Sequence, residues 1–437
     1  MRTIPDRLLS LGIALLLVLS ACAPASSPSA VQEAESGAAS AETAVPQLPA
    51  GTLRFVTDDD LFTGRYVGNS DGYYYVDRGG DIAANLRYID YASAQDVFLS
   101  SRPEGDRFSP EDDSFLSSVA GYGTVFPDGG TLYLVRTGAP GYTEKYGQDA
   151  LAAVFVMAPD GSDRRMLYTG GAEEKLLSTI AADDENLYLI QDEVTAKSGV
   201  PEERRRLIRI SRETGEKSTL CDLTGSSWMI GAVGDALVFH SIHEDGTGES
   251  GAPAMVHEIL TSRFDSQKLS VVRSWAADRT AFAKVCGDKL VAADITEKTV
   301  AVQDLASGEL LNTFSMEQQA PADGTSLWFL DCIDRKFVFW NYLQEQLWGM
   351  DTETGEWTAV TLTYQDPEKK ETRPVEVYAE TETEFLVCRD KEYVVRRLGT
   401  TGGGSEEQEV LQPVLALISK EDYWNSVPDF RDIEWND

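Results

Sequence analysis

The sequence predicts an all-β chain, a β-propeller of seven four-stranded blades. Three observations predict it: a turn-and-strand unit recurs about every 50 residues, an acidic glycine hairpin recurs within it, and no sustained 3.6-residue period runs through the body. The 437 residues are 42% apolar, enough for a large repeat array with a sizeable core.

The hairpins are the plainest part of the unit. Ser211-Arg212-Glu213-Thr214-Gly215-Glu216 matches Asp304-Leu305-Ala306-Ser307-Gly308-Glu309 and Asp351-Thr352-Glu353-Thr354-Gly355-Glu356. Ala158-Pro159-Asp160-Gly161-Ser162-Asp163 is a variant. Glycine supplies the positive φ of the turn, and Asp, Ser or Thr caps it through the side chain. Successive hairpin glycines lie 54, 93 and 47 residues apart, and Phe264-Asp265-Ser266 falls near the middle of the long gap.

The second marker is a polar turn followed by an apolar strand rich in Val, Tyr and Phe. It begins at Asp71, Asp128, Asp184, Gly234, Gly287, Asp334 and Glu382. Such strands favour β structure. These seven markers place the second strands of seven blades near 72–77, 130–136, 186–192, 236–241, 289–294, 336–342 and 384–389. Each blade then takes about 51 residues, slightly above the usual propeller range. Six or eight blades stay open, because the first and last units are irregular. The first has only a short leading segment around Leu53–Val67. The last is interrupted by Gly402-Gly403-Gly404, with a fourth strand expected near Val414–Ile418. Closure is expected to pair Leu53–Val56 with the last blade. Two stacked β-sandwiches are the rival fold, but they would not be expected to repeat one turn chemistry seven times.

The N-terminus reads as an address. Arg2 and Arg7 precede an apolar run, Leu8 to Leu19, which is too short to span a bilayer and suits a secretory segment. Leu19-Ser20-Ala21-Cys22 resembles a bacterial lipobox. The resemblance implies residues 1–21 as a lipoprotein signal peptide and lipidation of Cys22. Residues 22–50 are rich in Ala, Ser, Pro and Glu and lack aromatics, so they read as the lipidated Cys and a disordered tether. A 28-residue coil reaches roughly 30 Å. Residues 51–437 then form a single propeller domain. The expected location is the extracytoplasmic face of the cell membrane.

Seventy-two acidic residues against 38 basic ones give a formal charge of −34, which excludes nucleic acid as a partner through phosphate repulsion. Five cysteines are too few for a disulfide-built scaffold. Cys286 and Cys332 sit at equivalent places in adjacent blades, usually too far apart to bridge, so Cys221, Cys286, Cys332 and Cys388 are expected as thiols.

Chemistry-bearing residues are sparse. His240 and His243 would point to opposite faces of a strand, with His257 on the neighbouring one, so a three-histidine metal site would need a bend. Asp58-Asp59-Asp60 and Glu111-Asp112-Asp113 lack calcium-loop spacing. Asp183 and Asp184 fall near the channel mouth, where paired acids could serve a glycosidase. The chain carries no Gly-x-Ser-x-Gly elbow, His-Glu-x-x-His or Walker loop. No residue is assigned a catalytic, metal-ligating or cofactor-binding role, and no cofactor is expected.

The Asp-x-x-Thr-Gly-Glu hairpin resembles that of quinoprotein-like and other bacterial propellers, although the repeated tryptophan-docking motif is absent and no quinone is implied. With its lipobox, acidic tether and hairpins, the whole chain resembles the uncharacterised propeller lipoproteins of Gram-positive gut bacteria. That resemblance implies a fold and a location and names no site. The expected function is a lipid-anchored binding or scaffold module, a monomer, for a glycan, peptide or protein. Tyr122, Tyr142, Tyr146, Trp275 and Trp424 are the candidate ligand contacts. The alternative is a propeller hydrolase acting on polysaccharide or peptide at the channel mouth.

Overall fold

The computed structural model describes residues 53–57, 70–77, 83–102, 106–117, 121–197, 200–247, 253–263, 268–276, 281–320, 327–399 and 405–436. The chain divides into two units, Met1–Gln47 and Leu48–Asp437, and all described residues belong to the second. The signal peptide, Cys22, the tether, Asp58–Asp60, Phe264–Ser266 and the triple glycine lie outside them. Among the described residues no helix is long and apolar enough to cross a membrane.

Seven sheets of four main strands follow one another as the blades of a propeller, antiparallel except for one strand pair in blade 1. Blade 2 comprises Tyr122–Asp128, Thr131–Arg136, Ala153–Met157 and Arg165–Thr169. Blade 3 comprises Glu174–Ala182, Asn186–Lys197, Val200–Ser211 and Lys217–Leu223. Blade 4 comprises Ser226–Val233, Ala236–Thr247, Pro253–Arg263 and Ser270–Ala276. Blades 5 and 6 repeat the pattern from Ala281–Cys286 to Leu310–Ser315 and from Leu327–Ile333 to Trp357–Val360. Blade 7 comprises Glu376–Glu380, Glu384–Gly399, Ser405–Ser419 and Arg431–Asp432.

Turn chemistry explains the repeat. In blades 5 and 6 the Asp304 and Asp351 carboxylates accept the N–H of Ser307 at 2.7 Å and of Thr354 at 2.8 Å. Ser211 plays the same part in blade 3 through its hydroxyl. These turns join third strands to fourth. In blade 1 the turn after Ala83–Asp90 is built alike, with Asp90 accepting from Ser93 at 2.6 Å. Gly72–Asp77 pairs with Ala83–Asp90 and is the edge strand of this sheet among the described residues.

Among the described residues each pair of neighbouring blades shares one apolar core, seven in all. Tyr73 and Ile89 of blade 1 pack with Ala379, Leu386 and Cys388 of blade 7, so the ring is closed.

Three expectations need correction. Arg54–Thr57 does not join the last blade; it pairs with the inner edge of Glu174–Ala182 in blade 3, inside the channel. The chain's other end, Glu434–Trp435, instead adds in parallel to Gln95–Phe98 of blade 1. Val414–Ile418 belongs to the third strand of blade 7, and the fourth is the short Arg431–Asp432. Cys286 and Cys332 form a disulfide, with Cα atoms 5.6 Å apart. Both lie on innermost strands, which converge toward the ring axis, so adjacent blades come within bridging distance there. Cys221 and Cys388 are free.

Candidate functional site

The seam between blades 7 and 1 holds a cleft of about 320 Å³. Tyr73 and Tyr75 alternate along Gly72–Asp77 and so share one face, with ring centroids 5.9 Å apart. Tyr378 comes from the inner strand of blade 7. The hairpin of Glu384–Gly399 and Ser405–Ser419 runs far past the other strands of its blade and supplies Arg396, Leu398 and the stretch Val410–Pro413. The C-terminal strand brings Trp435, held in register opposite Asp96.

Charge inside the seam is paired. Arg396 forms an ion pair with Asp77, and its guanidinium lies 4.3 Å from the Trp435 ring centre. Behind it Arg87 is wholly buried, bonded through Nε to Asp96 at 2.9 Å. Its guanidinium lies 4.1 Å from the Phe98 ring and 3.9 Å from Trp435, and it donates to the carbonyl of Asn436 at 2.8 Å. The Tyr75 hydroxyl also donates to Asp96. Cation–π contacts with a desolvated guanidinium reach about 2 kcal/mol, so Trp435 both walls the cleft and covers a buried charge.

Burial holds the Tyr75 and Tyr378 hydroxyls well above the ordinary phenol range. Burial also pushes the Cys388 thiol up to about 12, so it is not primed as a nucleophile. The Gln412 Oε1 acceptor is buried without a partner. The walls are mostly apolar, with a fixed ion pair and one open acceptor. That arrangement suits recognition of an apolar-bodied group carrying a hydrogen-bond donor.

The acids expected at the channel mouth do other work. Asp183 accepts from the N–H groups of Glu185 and Asn186 at 2.8 and 2.6 Å and from the Tyr188 hydroxyl at 2.7 Å. Asp184 pairs with Arg54 at 2.9 Å, and Arg54 also holds Asp128 at 3.0 Å, tying the channel strand in place. Asp112 is buried against Arg107 and Ser114.

The five candidate contacts lie apart from the cleft. Tyr122 begins the inner strand of blade 2. Tyr142 and Tyr146 stack at 6.3 Å around a single helical turn, Thr143–Tyr146, with Tyr142 exposed. Trp424 packs on Phe385 and Tyr423, over Gly349, and donates to Asp334 at 3.0 Å. Trp275 is half-buried in blade 4 beside the histidines. There His240 Nε2 lies 3.0 Å from His257 Nδ1, while His243 is directed to the other face and lies 3.8 Å from Glu258. Burial, and then the neighbouring ring, push His240 down to about 3; burial lowers His257 as well.

Sequence reasoning missed the cleft residues. Two signals were present: the alternating Tyr73 and Tyr75, and Arg87 standing between Leu86 and Tyr88.

No family model matches the chain, and no curated protein does. Among solved structures it is similar to the β-propeller domain of the Trilobed protease from Pyrococcus furiosus, at 11% identity and a TM-score of 0.41, covering 84% of this chain and 96% of that one. It is also similar to the acylaminoacyl peptidase of Pyrococcus horikoshii, at 13% and 0.41, covering 77% of this chain. It spans about half of that enzyme, 52%. A third is apo AztD from Citrobacter koseri, at 9% and 0.36, covering 80% and 97%. At these identities and TM-scores nothing about activity or ligand passes to this chain.

Proposed function

We propose that this propeller is a binding module, held on the extracytoplasmic face of a membrane through a lipid on Cys22, and that its ligand seats in the cleft between blades 7 and 1. The observation that carries the ligand reading is the cleft itself, in which Tyr73, Tyr75, Tyr378 and Trp435 surround about 320 Å³. That volume falls within the usual range for small-molecule and side-chain pockets. Mostly apolar walls favour a peptide that inserts an aromatic or long aliphatic side chain over a glycan, which would want a denser set of polar partners. A backbone N–H of such a peptide would satisfy Gln412 Oε1.

Location rests on two supports. Leu19-Ser20-Ala21-Cys22 has lipobox form, and the Cys286–Cys332 disulfide suits an oxidising compartment. Cys22→Ser should release the protein from the membrane fraction or leave it unprocessed. A wild-type protein that is cleaved yet soluble would sink the anchor.

The ligand reading is tested by panning a random peptide library on the full chain. Selected peptides should converge on one aromatic or long aliphatic residue and lose at least tenfold in affinity for Leu398→Arg. Peptides that bind that variant equally well, or a library that yields none while glycan arrays give binders, would overturn the reading.

A further inference from the structure

We propose that His240 and His257, with the thioether of Met255, form a binding site for a soft monovalent cation, Cu(I) or its mimic Ag(I), on the face of blade 4 that packs against blade 5. The site is independent of the seam cleft.

Backbone register builds it. Ala236–Thr247 and Pro253–Arg263 pair so that Ile242 faces His257 and His240 faces Ile259. The two histidines are thus diagonal neighbours on one face, the face whose Ile259 packs with Ala283 and Leu290 of blade 5. Their nearest ring nitrogens are 3.0 Å apart. Two imidazoles bound to one metal at about 2.0–2.1 Å have nitrogens about 2.9 Å apart at 90° and about 3.5 Å apart at 120°. The 120° value suits a three-coordinate site, and the observed spacing falls about half an ångström short of it, so ligation needs ring rotation and a shift of about that size.

The choice of cation follows from the surroundings. Among the described residues no third His, Cys, Asp or Glu joins the pair in a ligand group. Met255 does stand on the same face, two residues before His257 and opposite Glu244. Two residues of strand span about 7 Å, within reach of methionine's flexible side chain. Imidazole plus thioether is a soft, uncharged set that selects Cu(I). His240 is buried and Met255 exposed, and an uncharged set of this kind tolerates one positive charge far better than two. Two indoles complete the enclosure: the Trp228 ring centre is 4.5 Å from that of His240, and Trp275 lies 5.8 Å from His240 and 5.9 Å from His257. Tryptophan faces attract cations.

The test titrates Ag(I), and separately Cu(I) against a chromogenic chelator, into the full chain carrying Cys22→Ser, Cys221→Ser and Cys388→Ser, which removes competing thiols. Tryptophan fluorescence should be quenched to saturation at one equivalent. His257→Gln should weaken binding at least 100-fold and the conservative Met255→Leu about tenfold, and Zn(II) should bind at least 100-fold more weakly than Ag(I). Histidine-selective NMR of the wild-type chain gives a readout free of variants: Ag(I) should move the resonances of His240 and His257 and leave His243 in place. Quenching without a one-equivalent end point, affinity unchanged in both variants, or shifts confined to other residues would overturn the proposal and leave the pair as a plain imidazole–imidazole hydrogen bond.

Discussion

Removing the Cys286–Cys332 bridge by the double change Cys286→Ala/Cys332→Ala should cost the ring about 4 kcal/mol. The cysteines are 46 residues apart and join the innermost strands of blades 5 and 6. Cross-linking a loop of that length removes about 13–14 cal/mol/K from the unfolded chain, which is about 4 kcal/mol at 25 °C. Alanine keeps the β carbon at both places, so the apolar core shared by the two blades loses only the sulfur atoms. Equilibrium urea unfolding of the oxidised wild type and the double variant measures the difference. A thiol count checks the premise: the unreduced, denatured chain with Cys22 lipidated should titrate two thiols, Cys221 and Cys388. Four titrating thiols, or a stability loss under about 1 kcal/mol, would refute the reasoning.

Three other outcomes follow from the same fold. Arg87→Met strands the fully buried Asp96 without its cation and should cost about 3–5 kcal/mol; Arg87→Met/Asp96→Asn should recover most of that in the same unfolding assay. Gly215 and Gly308 share φ +73°, but an added Cβ at Gly215 would meet the Leu167 carbonyl at 1.8 Å, whereas at Gly308 it would meet nothing within 4 Å. Gly308→Ala should therefore cost about 1 kcal/mol, the left-handed penalty alone, and Gly215→Ala clearly more; equal losses would contradict the packing argument. Burial pushes the Cys221 thiol up to about 11, and the Cys388 thiol and Tyr88 hydroxyl up to about 12. The folded chain then holds protons that the unfolded chain gives up from about pH 9, so stability should change little between about pH 7 and 8 and fall between about pH 9 and 12. A midpoint that rises across that interval would reverse the sign and refute the assignment.

The ring was legible in the sequence because it is made by local chemistry. An Asp, Ser or Thr that caps its own turn acts within three residues, as Asp304, Asp351 and Ser211 do, and so leaves a repeating mark. Closure was not legible. Glu434–Trp435 is two residues long, too short for any period, and its place is set by Arg87 and Asp96 more than 300 residues earlier. Arg54–Thr57 reads as an ordinary strand, and nothing local says that it pairs with the inner edge of blade 3. The disulfide was misjudged from spacing alone, because the approach of neighbouring innermost strands depends on the ring's curvature. The cleft was missed for a similar reason. Tyr73, Tyr378, Arg396 and Trp435 meet only because the first and last blades are neighbours.

A crystal structure of the full chain with the tightest peptide from the library tests the central claim most directly. The account predicts peptide density between Tyr378 and Trp435, with an apolar side chain against Leu398 and a backbone N–H on Gln412 Oε1. Peptide bound at the channel mouth over Arg54 and Asp184, with the seam cleft empty, would contradict it.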